Sequence, residues 1–361
     1  MRHYLDHNAT SPLRPAARAA MLAAMDVSGN ASSVHAEGRA ARKLLDDSRA
    51  AIARAIGVMA PMVVFTSGGS EANSMALTGA PVQRLLVSAI EHPSVLAAAS
   101  VSGKAVELVP VTGDGVVDLD ALARMLPGAP ALISVMLANN ETGVIQPVAE
   151  VGRLAQAHGA LLHVDAVQGL GRIPVNFGIL GADLMTLSAH KLGGPVGIGA
   201  LVIRDGLPIT PLIHGGGQEL RRRAGTENIA GAAGFAAVVK EGALNINRLR
   251  DGLEAGLEDA MVFGRGCDRL PNTTCFAVPG MDAETLLMSL DLEGLAVSSG
   301  SACSSGKVAR SHVLQAMGVA PEISKAAIRV SLGWTTTHQD IEHFIAVWQR
   351  LRARHKARAA A

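Results

Sequence analysis

The sequence predicts an α/β protein of two domains, a large one built on a mostly parallel sheet covered by helices and a smaller α/β one. Three observations carry this expectation. The chain has 361 residues, beyond the roughly 250 to 300 at which a single hydrophobic core stops growing. Short apolar runs alternate with helical patterns through its middle. After about Asn245 that alternation gives way to a long helix, two further strands and a closing helix. Residues 15–245 are therefore assigned to the large domain, and 1–14 with 246–361 to the small one.

Taken in order, Met62–Thr66, Leu85–Ile90, Ala131–Leu137, Leu161–Asp165, Leu184–Ser188 and Ile198–Ile203 read as buried strands. Ser70–Gly79 and Val148–His158 read as helices between them. In the small domain Asn272–Val278 and Ala296–Ser298 are the expected strands, and Thr337–Arg354 the closing helix. Ligands of such sheets sit at the carboxyl ends of the strands.

Composition narrows the function. With 49% hydrophobic and 17% charged residues the chain is too apolar for disorder. Lys and Arg number 32 against 31 Asp and Glu, so the basic footprint of a nucleic-acid or membrane-surface binder is missing. No apolar run reaches the roughly 18 residues of a membrane span, and the start lacks the apolar core of a signal peptide. A cytoplasmic protein is expected. Its three cysteines, Cys267, Cys275 and Cys303, include no C-x-x-C pair, which disfavours a disulfide framework and a zinc ribbon.

Polar groups gather where the strands should end. Thr66-Ser67-Gly68-Gly69-Ser70-Glu71-Ala72-Asn73 is a Gly-rich turn opening a helix, a ready cup for phosphate, although by itself such a turn more often merely caps a helix. Leu161–Asp165 ends in an acid with Gln168 three residues on, and Leu184–Ser188 runs into Ala189-His190-Lys191 before a Gly-Gly turn. A lysine there is costly unless its amine has a job. Alone, either charge reads as a solvated loop residue. Together, a lysine, an acid and a phosphate cup are what pyridoxal phosphate requires: the acid keeps the pyridinium nitrogen protonated, and the lysine holds the cofactor as a Schiff base and moves the α-proton. His92 follows another strand end and serves either to stack on the ring or to cap a helix. No G-x-G-x-x-G opens a helix to favour a dinucleotide instead.

These residues resemble the cysteine desulfurases of the NifS/IscS type, within the class V aminotransferase group of pyridoxal-phosphate enzymes. The resemblance runs from Tyr4-Leu5-Asp6-His7-Asn8-Ala9-Thr10 to Arg329-Val330-Ser331-Leu332-Gly333, nearly the whole chain. Between them lie Asn139-Asn140-Glu141-Thr142-Gly143, Asp165-Ala166-Val167-Gln168, Ser188-Ala189-His190-Lys191, His214-Gly215-Gly216-Gly217, Gly225-Thr226-Glu227-Asn228 and Ser298-Ser299-Gly300-Ser301-Ala302-Cys303. The chain departs from the pattern after Glu219, where Leu220 and Arg221 stand in place of the usual arginine and glycine.

The resemblance implies the fold of type I pyridoxal-phosphate enzymes, with the small domain carrying the catalytic cysteine loop. It implies Lys191 as the Schiff-base lysine, Asp165 on the pyridinium nitrogen, Gln168 on the ring hydroxyl, His92 stacked on the ring, and Asn140 between cofactor and substrate. Gly69, Ser70, Ser188 and His190 would hold the phosphate, with Thr226 reaching it from the second subunit of a homodimer. Arg329 would clamp the carboxylate of L-cysteine, a task for a guanidinium fork, assisted by Asn30. Cys303, set among Ser298, Ser299, Gly300, Ser301, Ser304, Ser305 and Gly306, sits in a loop of small residues rather than a core. It would accept the sulfur of L-cysteine as a persulfide, leave L-alanine, and pass sulfur to an acceptor such as an iron-sulfur scaffold. Any metal contact would be transient, at Cys303 during cluster transfer. A selenocysteine lyase or an ordinary class V aminotransferase shares the cofactor constellation and lacks only this cysteine's role. A non-catalytic sulfur-delivery scaffold is disfavoured by Lys191, Asp165 and Arg329 standing together.

Overall fold

The computed structural model describes residues 2–299 and 310–359. Seven strands form the central sheet, in the spatial order Val63–Thr66, Gly199–Ile203, Leu184–Ser188, Leu161–Asp165, Ala131–Met136, Arg84–Ser88 and Ala105–Val109. All run parallel except Gly199–Ile203, which is antiparallel to both its neighbours. Mostly parallel sheets need cover on both faces, and here alternate side chains of each inner strand feed opposite cores. Ile133, Val164, Met185 and Val202 pack with Leu45, Ile52 and Phe235 on one side. Leu85, Leu132, Leu184 and Leu201 pack with Met75, Leu77 and Val95 on the other.

The expected strands Leu161–Asp165 and Leu184–Ser188 are found with those bounds. Ala105–Val109 adds an edge strand with four of its five residues exposed, its apolar run interrupted by Glu107.

A second hydrophobic cluster gathers Leu5, Phe276, Ile328, Phe344 and Trp348. It lies on a three-stranded antiparallel sheet of Ala327–Ser331, Thr273–Ala277 and Met261–Val262, closed by the helix His338–Ala359. The Phe276 and Trp348 rings meet edge-on at 5.2 Å. The long helix expected after Asn245 is only Asn247–Ala255. It stops at Gly256, where a Cβ would meet Ile345 of the closing helix at 2.6 Å, so the missing side chain lets the chain pass close to that helix. The strand expected at Ala296–Ser298 is Leu295–Ala296, paired in parallel with His3–Tyr4. That pairing carries the N-terminal segment over the carboxyl edge of the central sheet.

Candidate functional site

A cavity of about 600 Å³ opens at the carboxyl ends of the central strands, with a wall contributed by the smaller sheet. Its floor comes from strand ends. Asp165 is the last residue of its strand and is buried. Its Oδ2 accepts from Asn73 Nδ2 at 2.8 Å and its Oδ1 from the Val167 backbone N–H at 3.0 Å. Asn73 Nδ2 also donates to Ser94 Oγ at 3.0 Å, and Ser94 holds His92 Nδ1 through its hydroxyl at 2.7 Å and its backbone N–H at 3.1 Å. His92 thus caps the helix Pro93–Val101, and it also lines the cavity. Because Nδ1 accepts, the neutral ring carries its proton on Nε2, and burial holds the imidazole below its ordinary pKa.

Lys191 lies in a single helical turn just past Ser188. Its Nζ donates to the carbonyls of Asn8 at 2.6 Å and Ala9 at 2.8 Å. Burial first, then the guanidiniums of Arg172 and Arg329, bring its amine down to about 7. Near neutrality such an amine is available as a nucleophile and base.

Gly69 and Ser70 open the helix Gly69–Gly79 at the cavity wall, so its free backbone N–H groups are near. Ser188 and His190 line the same corner. His190 Nδ1 shares a hydrogen bond with Thr10 Oγ1 at 3.1 Å, and burial followed by the Lys191 charge lowers its pKa to about 4, leaving it neutral.

On the opposite wall Arg329, in the middle of Ala327–Ser331, donates from Nη2 to Asp6 Oδ1 at 2.7 Å and from Nη1 to the Asn140 carbonyl at 3.1 Å. Its Nε and Asn73 Oδ1 are buried with no hydrogen-bond partner among the described residues. Both residues line the cavity, which marks it as built for a polar ligand.

The structure therefore brings Gly69, Ser70, His92, Asn140, Asp165, Gln168, Ser188, His190, Lys191 and Arg329 to one cavity. It does not bring Asn30 there: that side chain is exposed and accepts from the Ser32 backbone N–H at 2.8 Å. Thr226 is exposed on a separate shallow depression beside Ser67 and Glu227. Cys303 lies outside the described residues. Among the described residues no cluster of His, Cys, Asp and Glu could hold a metal ion, and no helix is long and apolar enough to cross a membrane. Sequence reasoning missed Asp6, Asn8, Asn73, Arg172 and Ser94, whose roles rest on contacts between distant segments.

These residues fit pyridoxal 5'-phosphate. The donor set has an amine of lowered basicity, a buried carboxyl, a helix start with hydroxyls for an anion, and a guanidinium with an unsatisfied N–H. A Cβ at Gly69 would stand 3.1 Å from Val167 Cγ2 and 3.6 Å from Ser188 Cβ, so the glycine keeps this corner open.

Comparison with known proteins agrees. The family model described as Aminotransferase class-V matches residues 3–344. A curated relative, "Cysteine desulfurase IscS" of Dictyoglomus turgidum, is 40% identical over 96% of this chain and 94% of its own. A NifS-like protein from Rickettsia africae superposes with a TM-score of 0.89 at 37% identity, covering 98% of this chain and 100% of that one. "SspA in complex with cysteine" superposes with a TM-score of 0.84 at 27% identity, covering 91% and 98%.

Proposed function

Because this chain belongs to the class V aminotransferase family, and is a cysteine desulfurase dependent on pyridoxal 5'-phosphate, we propose that L-cysteine is bound by Arg329 and gives its sulfur to Cys303. Lys191 holds the cofactor, Asp165 its ring nitrogen, Gln168 its ring hydroxyl and His92 its ring face. Gly69, Ser70, Ser188 and His190 hold its phosphate, joined by Thr226 of a second copy in a homodimer. When bound, the cofactor supplies a sink for the electrons released at the substrate α-carbon.

The substrate carboxylate meets the Arg329 fork, where Asp6 and the Asn140 carbonyl now sit, and Asn140 orients the amino group beside it. Lys191 Nζ, lowered to about 7, takes the α-proton and returns it. That amine rests on the backbone carbonyls of Asn8 and Ala9, in the same cavity as Asp165 and Arg329. The Cys303 thiolate attacks the substrate sulfur; the Cβ–S bond breaks with its electron pair left on Cβ, which takes up a proton, so that a persulfide forms on Cys303 and L-alanine leaves. The persulfide then passes to an acceptor, for which an iron-sulfur scaffold is the class we favour. The odd cysteine count without a C-x-x-C pair supports a cytoplasmic setting.

The observation that carries this reading is the meeting of Lys191, Asp165 and Arg329 in one cavity at the strand ends. Its test is mass spectrometry after brief exposure of the protein to L-cysteine without reductant. One added sulfur atom is expected on the peptide containing Cys303, and none on those containing Cys267 or Cys275. Cys275 is fully buried and its thiol is pushed well up by that burial, which makes it inert. Cys303→Ser should still bind the cofactor yet lose the persulfide and nearly all sulfide release. A serine variant that releases sulfide and alanine at the wild-type rate overturns the mechanism.

A further inference from the structure

Arg172 contacts neither substrate nor cofactor in the chemistry above, yet it is buried, 6% exposed. A buried cation is costly without compensation. Arg172 has no carboxylate partner among the described residues; every acceptor it meets is a carbonyl oxygen. Nη1 donates to the Gln168 backbone oxygen at 3.2 Å and to Gln168 Oε1. Nη2 donates to the His7 oxygen at 3.3 Å and the Lys191 oxygen at 3.5 Å. Burial brings the guanidinium down to about 9, still charged at neutral pH.

The chain is shaped to put it there. Gly171 adopts φ +75, and a Cβ at that position would meet Leu192 Cδ2 at 2.1 Å. The positive φ favours glycine at this position, and the turn there packs against Leu192, next to Lys191.

A guanidinium offers five N–H donors and no acceptor. The Gln168 amide can therefore face it only with oxygen, which leaves nitrogen for the other side. One N–H of Nε2 goes to the Asn8 carbonyl at 3.2 Å, and Gln168 lines the cavity. We propose that Arg172 is a positioning residue that locks the Gln168 amide with its oxygen on the cation and its nitrogen turned to the cavity, so that the site offers the ring oxygen of the cofactor a donor and never an acceptor. This rests on the pyridoxal-phosphate reading above. A neutral or mobile residue at position 172 would leave the amide free to flip and present its oxygen instead.

The test compares full-length apo-protein binding to pyridoxal 5'-phosphate and to its 3-deoxy analogue, which lacks the ring hydroxyl, by equilibrium dialysis. Wild type should prefer the hydroxyl form by roughly tenfold, the worth of one buried hydrogen bond to a charged group. In Arg172→Met that preference should fall to within about threefold, converging on the value for Gln168→Met, with no further loss in the double variant. A merely structural role would weaken both ligands alike and leave the ratio where it was; a ratio unchanged in Arg172→Met overturns the proposal. Should the methionine variant fail to fold, Arg172→Gln keeps polar contacts but can show Gln168 either polarity, and an unchanged ratio there overturns it equally. Wild type that binds both ligands equally overturns the donor assignment. Wild type that binds neither overturns the cofactor reading itself.

Discussion

Two arginines, Arg329 on the wall of the cavity and Arg172 behind Gln168, are buried to nearly the same degree, at 5% and 6% exposure, and their surroundings are opposite. Arg329, on the smaller sheet, faces the Asp6 carboxylate. Arg172, in the turn beyond Asp165, faces carbonyl oxygens. A guanidinium already paired with a carboxylate can exchange one carboxylate for another at little electrostatic cost, which suits substrate binding. A guanidinium held by dipoles keeps its charge and projects it. Lys191 feels that charge: after burial itself, Arg172 is the larger of the two cationic influences that lower its pKa, with Arg329 behind it, while Asp6 and Asp165 push the other way. On the reading proposed above, Arg329 is the arginine that binds substrate, while Arg172 is the stronger cationic influence on Lys191.

The largest effect should come from breaking the exchangeable pair. Arg329→Leu leaves Asp6 unpaired and removes the fork, so kcat/KM for alanine formation should fall about 10²- to 10³-fold. Arg329→Lys, which keeps the charge and loses the bidentate geometry, should cost roughly tenfold. Steady-state kinetics with L-cysteine measures both, and wild-type kcat/KM in the leucine variant would remove Arg329 from substrate binding.

The next effect separates the two arginines through Lys191. Its amine titrates near 7 rather than at the ordinary 10.5, so the rate at which apo-protein captures pyridoxal phosphate should rise with pH and level off just above neutrality. Removing a cation makes the ammonium form easier to keep, and removing an anion makes it harder. Arg172→Met should therefore move the inflection upward and Asp6→Asn downward. Inflections that coincide in all three proteins would dissolve the distinction drawn between the arginines.

The smallest effect is expected at Asn73. Its Nδ2 bonds both Asp165 and Ser94, so it orients the acid and, through Ser94, His92. Asn73→Ala should lower kcat by up to about tenfold with KM little changed. A rise in KM at constant kcat would place Asn73 in binding rather than in orientation.

Which of these features could be read in advance follows from how far apart their parts lie. Leu161–Asp165 and Leu184–Ser188 announce themselves as apolar runs ending in a charge or a hydroxyl, and the chemistry of Asp165 and Lys191 is visible within a few residues of each. The edge strand Ala105–Val109 is apolar but for Glu107, yet four of its five residues are exposed and no charge or hydroxyl closes it. Asp6 and Arg329 are 323 positions apart, and nothing near either names the other. Arg172 reads as a loop charge four residues beyond Gln168. Its burial depends on the N-terminal segment lying across the sheet edge, and that depends on the pairing of His3–Tyr4 with Leu295–Ala296. Local pattern shows strands and their terminal residues; the field around a lysine is assembled from three distant stretches of chain.

The central claim, that Lys191 is the residue on which the chemistry turns, is tested most directly by borohydride reduction of the protein loaded with pyridoxal phosphate, followed by digestion and mass spectrometry. The reduced cofactor is expected on the peptide containing Lys191 and on no other, and it should be lost in Lys191→Ala. Cofactor found on a different lysine, or retained undiminished in Lys191→Ala, contradicts the account.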